Sequence, residues 1–94
     1  GLHTHDKVIS NKDLYHGCTT HYVTEDIDCG PLIAQYKIPV MQFDNSVTIA
    51  KRLLQVEHIL YYETLKMIEN NDIKLKNKII YYKNNILEEP ILFN

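Results

Sequence analysis

The sequence predicts an α/β fold, and three observations carry that reading. Cys18 to Glu25 and Leu32 to Val40 have strand character and flank an acidic loop. From about Val47 to Glu69, apolar residues recur at helical spacing. Two short apolar runs, Ile73–Leu75 and Ile79–Tyr82, follow that helix. The predicted order is helix, strand, loop, strand, long helix, short strands.

Each element has a local reason. His3 to Lys12 reads as a short helix, with Thr4 as N-cap and Asn11-Lys12-Asp13 as its polar end. Thr, Tyr and Val favour a strand over Cys18–Glu25. In the second strand, Leu32, Ala34, Tyr36, Ile38 and Val40 alternate with Gln35 and Lys37, which gives one apolar face. Pro39 sits near its end, where a missing ladder donor is tolerated. The two strands form a hairpin closed by the loop from Asp26 to Pro31.

Asp44-Asn45-Ser46 supplies N-cap candidates for the long helix. Ile49, Leu53, Val56, Leu60 and Met67 line one stripe of it, with Leu54, Tyr61, Leu65 and Ile68 beside them. That arc is wider than a helix lying on a two-stranded hairpin requires. The helix is therefore expected to pack on a larger sheet than these residues supply, or on a second copy. Asn70-Asn71-Asp72 ends it, the two short runs make a small hairpin, and residues 84–94 read as a tail.

Bulk properties exclude several functions. A chain of 94 residues holds at most one small domain, burying roughly 60–65% of its unfolded surface. It opens on Gly1-Leu2-His3 rather than Met, the expected start of a piece of a longer protein. Net charge is −2 and the ten Lys/Arg are scattered, so nucleic acid is not an expected partner. No apolar run reaches the ~18 residues of a membrane span, and no secretory signal opens the chain. Cys18 and Cys29 form neither a disulfide framework nor a zinc-finger spacing, which suits free thiols in a cytoplasmic protein.

The chemistry concentrates between His16 and Pro31. His16, His21, Glu25, Asp26 and Asp28 crowd into one hairpin, where a plain turn needs only Asn-Gly or Asp-Gly. A carboxylate within ~4–6 Å raises an imidazole pKa and fixes its tautomer, so Asp28 is a candidate partner for a histidine. Solvated turn carboxylates beside a half-buried strand histidine fit the same pattern, and composition leaves both readings open. His3, His5, His16, Cys18, His21 and Cys29 match no recurrent metal-ligand spacing, and no metal is expected. A cysteine nucleophile is disfavoured by the neighbouring carboxylates. Glu57 and His58 lie off the main helix stripe, either on a plain polar face or bordering a cleft. There is no Gly-rich phosphate loop.

Read together, Gly1-Leu2-His3-Thr4-His5, the stretch from His16 to Pro31, and Val56-Glu57-His58 resemble phosphoribosylglycinamide formyltransferase over Gly1 to about Leu75. The His21–Pro31 motif is specific to the formyltransferase superfamily, and the opening Leu-His-Thr-His favours the purine enzyme. The resemblance implies that residues 1–94 are the C-terminal half of a formyltransferase-type Rossmann-like domain. The N-terminal half, with the phosphate site and an Asn-x-His motif holding the catalytic Asn and His, would lie upstream. It also implies a cytoplasmic enzyme of purine biosynthesis that transfers formyl from 10-formyltetrahydrofolate to the amine of glycinamide ribonucleotide.

Carried over by residue, Asp28 matches the aspartate that raises the pKa of the absent histidine. Thr24, Glu25, Asp26, Ile27 and Asp28 match the folate-binding loop, and Glu57 a contact to the ribonucleotide. His21 and His3 match histidines supporting the site from behind. Cys29 departs from the Gly or Ala common at its position. The 94 residues alone are expected to be inactive, and either to associate with the missing half or to form a homodimer. The rivals are a formyltetrahydrofolate deformylase, which hands the formyl group to water, and a non-catalytic oligomerising or metal-binding module.

Overall fold

The computed structural model describes residues 2–23 and 30–94, with the side chains of Leu2 and His3 left outside the description. In chain order the elements are α1 (Leu2–Ser10), β1 (Tyr15–His21), β2 (Leu32–Pro39), α2 (Ser46–Glu69), β3 (Ile73–Lys76), β4 (Ile79–Tyr82), β5 (Asn85–Ile86) and β6 (Ile91–Phe93). They build one three-stranded sheet in the order β1-β2-β6 and another in the order β3-β4-β5.

Thr4 lies inside α1 instead of capping it, because the helix begins at Leu2. It stops at Ser10 since Lys12 turns left-handed at φ 55°, and the Asp13 amide donates back to Val8 O at 3.1 Å. Pairing sets the limits of β1. It runs antiparallel to β2 from Tyr15↔Pro39 to His21↔Leu32, with a bulge between Thr20 and His21. The strand therefore starts three residues earlier than its composition suggests, and a partner strand decides which residues become extended. Gly17 is required in that ladder, because a Cβ there would sit 2.4 Å from Tyr36 O.

Simple alternation on β2 also gives way. Ile33 and Ala34 project to opposite faces, yet they are 2% and 0% exposed, so β2 is covered on both sides at that point. Leu32, placed on the apolar face by its spacing, is exposed.

The segment read as a tail is structured. Ile91–Phe93 adds to β2 in parallel, pairing Ala34↔Ile91 through Tyr36↔Phe93. The Tyr36 and Phe93 rings stack with centroids 6.2 Å apart. The second edge of β2 would otherwise present unpaired backbone groups, and an apolar Ile-Leu-Phe run is suited to fill it.

A capping box starts α2. Asn45 Oδ1 accepts from the Val47 and Thr48 amides, both at 2.9 Å, while Thr48 Oγ1 accepts from the Asn45 amide at 2.9 Å. Arg52 pairs with Asp44 and donates to Pro39 O at 2.6 Å, fastening this end to β2. Ser46 Oγ donates to Asp6, fastening it to α1. At the other end, Asn71 turns left-handed at φ 61° and the Asp72 amide donates to Met67 O.

Beyond α2, two tight turns with positive φ at Asn77-Lys78 and Lys83-Asn84 fold β3, β4 and β5 into a meander. Its Ile73 and Ile80 join Ile33, Ala34 and Leu60 in one core cluster, and Ile38, Ile49 and Leu53 form a second. Cys18 and Tyr36 pack against both. Among the described residues no helix is long and apolar enough to cross a membrane.

Candidate functional site

Residues of one face of β1 meet both helices. His16, Cys18 and Thr20 alternate along the strand and so share a face. Thr20 Oγ1 lies 2.8 Å from Thr64 Oγ1 on α2. Thr64 is buried and spends its own proton on Leu60 O at 2.8 Å, so Thr20 is the donor between the two hydroxyls. Seven residues before Thr64 along α2 stands Glu57, exposed, whose charge is felt at both His16 and Cys18.

His16 reaches α1 as well. Its Nε2 is 2.9 Å from His5 Nδ1, with the two rings edge to face at 78°. Burial is the main reason the His16 imidazole titrates below its ordinary value; His5 adds to that effect, while Asp13 and Glu57 oppose it. Cys18 is a half-buried free thiol. Burial first, and then Glu57, push it above the ordinary thiol range, against a backbone hydrogen bond at Tyr36. It therefore stays protonated at neutral pH and makes a poor nucleophile.

Of the residues singled out from sequence, Thr24, Glu25, Asp26, Ile27, Asp28 and Cys29 lie outside the described residues. What is described is the base of their loop. The Tyr22 amide donates to Pro31 O at 3.0 Å, one step beyond the β1–β2 ladder, so the chain leaves and returns side by side. His21 is exposed there, its Nδ1 donating to Tyr22 O at 3.1 Å. His3 is on α1, its side chain outside the description. Among the described residues no group of three or more His, Cys, Asp or Glu is arranged to hold a metal ion.

Sequence reading missed the His5–His16 pair. The two histidines are 11 positions apart on different elements, and only the packing of α1 against the sheet brings them together.

Beside this cluster the surface is unfinished. Among the described residues β1 pairs only with β2, which leaves its outer edge open. A groove of about 360 Å³ lies between the C-terminal end of β1 and α2, lined by Thr20, Tyr22, Val23, Tyr61, Leu65 and Ile68.

The model of the formyl transferase family matches residues 1–65. The phosphoribosylglycinamide formyltransferase of Escherichia coli (strain K12) is 36% identical over 75 residues, which is 80% of this chain and 35% of that protein. Its namesake from Haemophilus influenzae is 30% identical over 81 residues, 86% of this chain and 38% of that one. Among solved structures, the phosphoribosylglycinamide formyltransferase of Coxiella burnetii superposes with a TM-score of 0.87 at 29% identity, over 100% of this chain and 44% of that one. The enzyme of the same name from Anaplasma phagocytophilum gives 0.78 at 30% identity, over 99% and 45%. The chain thus spans 35–38% of the length of these curated relatives.

Proposed function

This chain belongs to the formyl transferase family, and we propose that it supplies the C-terminal part of a phosphoribosylglycinamide formyltransferase of purine biosynthesis. The observation that carries the reading is the similarity to enzymes of that name, which covers 80% and 86% of the chain in two relatives. The motif from His16 to Pro31 and the folded core around α2 support it.

The reaction takes the formyl group of 10-formyltetrahydrofolate to the primary amine of glycinamide ribonucleotide. The amine nitrogen attacks the formyl carbon and gives a tetrahedral oxyanion. As that intermediate collapses, the bond to the folate nitrogen breaks and the proton lost by the amine passes to the leaving nitrogen. Stabilising the oxyanion falls to an Asn and a protonated His from the rest of the domain. Asp28 keeps that His charged and hands protons on, which suits a carboxylate that is ionised at pH 7. Thr24 to Asp28 hold the folate, Glu57 faces the ribonucleotide, and His21 and His3 stand behind the site.

Two features support a larger domain: the open edge of β1, and the exposed apolar residues of α2 next to it. On this reading the oxyanion-stabilising Asn and His and the phosphate site come from the rest of the domain, and the 94 residues alone are expected to carry out no formyl transfer.

The test is consumption of 10-formyltetrahydrofolate by this region joined to the portion its relatives carry besides it, with and without glycinamide ribonucleotide. Consumption only with the ribonucleotide is expected. Consumption without it would make the protein a hydrolase and remove the acceptor. In the same protein Asp28→Asn is expected to lower kcat by roughly 100-fold or more while changing folate affinity little; near-normal turnover would remove Asp28 from the mechanism.

A further inference from the structure

β1 and α2 lie side by side and run in the same direction. At one end His16 and Cys18 feel the charge of Glu57, and at the other Thr20 Oγ1 meets Thr64 Oγ1 at 2.8 Å. From His16 to Thr20 the strand advances ~13 Å, and from Glu57 to Thr64 the helix advances ~10 Å, so the two rows stay in step. That helical interval is close to two turns, which puts Glu57 and Thr64 on one line of α2, only about 20° apart. The Thr64 hydroxyl donates to Leu60 O and accepts from Thr20, so both of its roles are fixed. Beside this bond the strand and the helix part into the groove of about 360 Å³. Apolar contact is non-directional, and next to an open groove it leaves a helix free to turn a little about its axis. A hydrogen bond with both roles fixed does not.

We propose that Thr20 and Thr64 are positioning residues: their hydroxyl pair sets the rotation of α2 on β1 and so aims Glu57 at the ribonucleotide, an assignment that rests on the formyl transfer proposed above. Glu57 is exposed, and the direction of its side chain follows the rotation of the helix that carries it. A turn of α2 by about 20° moves a carboxylate ~6 Å from the axis by about 2 Å. That is enough to break a hydrogen bond to a substrate. Thr20 and Thr64 act through Glu57, from the opposite end of the shared face.

The experiment is steady-state kinetics of this region joined to the portion its relatives carry besides it, paired with a thiol titration of the 94-residue chain. Thr64→Val should raise KM for glycinamide ribonucleotide about tenfold, the loss of one charge-assisted contact, and leave kcat and the KM for 10-formyltetrahydrofolate within about twofold. Thr64→Ser should restore the lower KM. Thr20→Val removes the same bond from the strand side and serves if Thr64→Val folds poorly. Ile80→Val, a loss of packing in the meander, should leave KM in place. Glu57→Gln should also raise KM, and adding Thr64→Val should then change it little further. An unchanged KM in Thr64→Val, or an equal rise in Ile80→Val, would overturn the positioning role. The thiol titration reads the rotation without any substrate. In the chain carrying Cys29→Ala, Glu57→Gln should lower the Cys18 pKa, and Thr64→Val should diminish that effect. An effect of full size in Thr64→Val sinks the rotation whatever the enzyme turns over. Consumption of the folate without ribonucleotide by the unsubstituted protein removes the formyl transfer and the aim at its acceptor, and the thiol titration then decides the rotation by itself.

Discussion

Two neighbouring faces of α2 have similar composition and opposite surroundings. Ile49, Leu53, Leu60 and Thr64 are buried at 0–5% exposure, facing the sheets. Leu54, Tyr61 and Leu65, about a quarter-turn round the same helix, are 52%, 63% and 49% exposed. An apolar stripe records that a helix face is suited to burial, and what buries it has to come from elsewhere. On the first face the cover is β1, β2 and the small meander. Among the described residues nothing covers the second, which borders the groove that Thr20 and Tyr22 share with Tyr61 and Leu65.

That contrast can be broken by mutation. Leu60→Ala should cost about 2–5 kcal/mol in chemical denaturation, since it opens a cavity where Ile33, Ile73 and Ile80 meet. Leu65→Ala should stay within about 0.5 kcal/mol in the 94-residue chain, because its side chain already faces solvent. Equal costs at the two positions would mean that the second face is covered after all.

A smaller effect tests the polar seam within the closed face. Thr64→Val should destabilise by about 1 kcal/mol, because the Thr20 hydroxyl loses its acceptor and Leu60 O a donor. Thr64→Ser should recover most of it.

The least effect sharpens the comparison while touching neither face. Burial opposes ionisation of Asp44. The Met41 amide, the Arg52 guanidinium and the Thr48 hydroxyl outweigh it and hold the carboxyl below its usual value. Its contribution is therefore full above the unfolded pKa of ~3.9 and lost as pH falls through the folded one. An acid titration of stability should show that limb, and Asp44→Asn should make it shallower.

Legibility followed the range of the interactions. The N-cap region of α2, its C-terminal stop and the β3–β4 hairpin were readable because each rests on residues a few positions apart. The start of β1 at Tyr15 was not, since it depends on Pro39 and Ile38 across the ladder. Nor was β6, whose three residues become a strand only because β2 has a free edge to fill. For the candidate site, the motif from His16 to Pro31 was legible as a cluster of imidazoles and carboxylates. Which imidazole meets which was not.

The sequence by itself determined the family, through the resemblance of its motifs. Through residue type and spacing along one chain it also determined the order of the elements from α1 to β4 and the excess width of the apolar arc on α2. Only the tertiary structure decided that His5 meets His16, that Thr20 meets Thr64, that both sides of β2 are covered at Ile33 and Ala34, and which face of α2 stays open. Those depend on contacts between residues distant in sequence, which short-range periodicity does not encode.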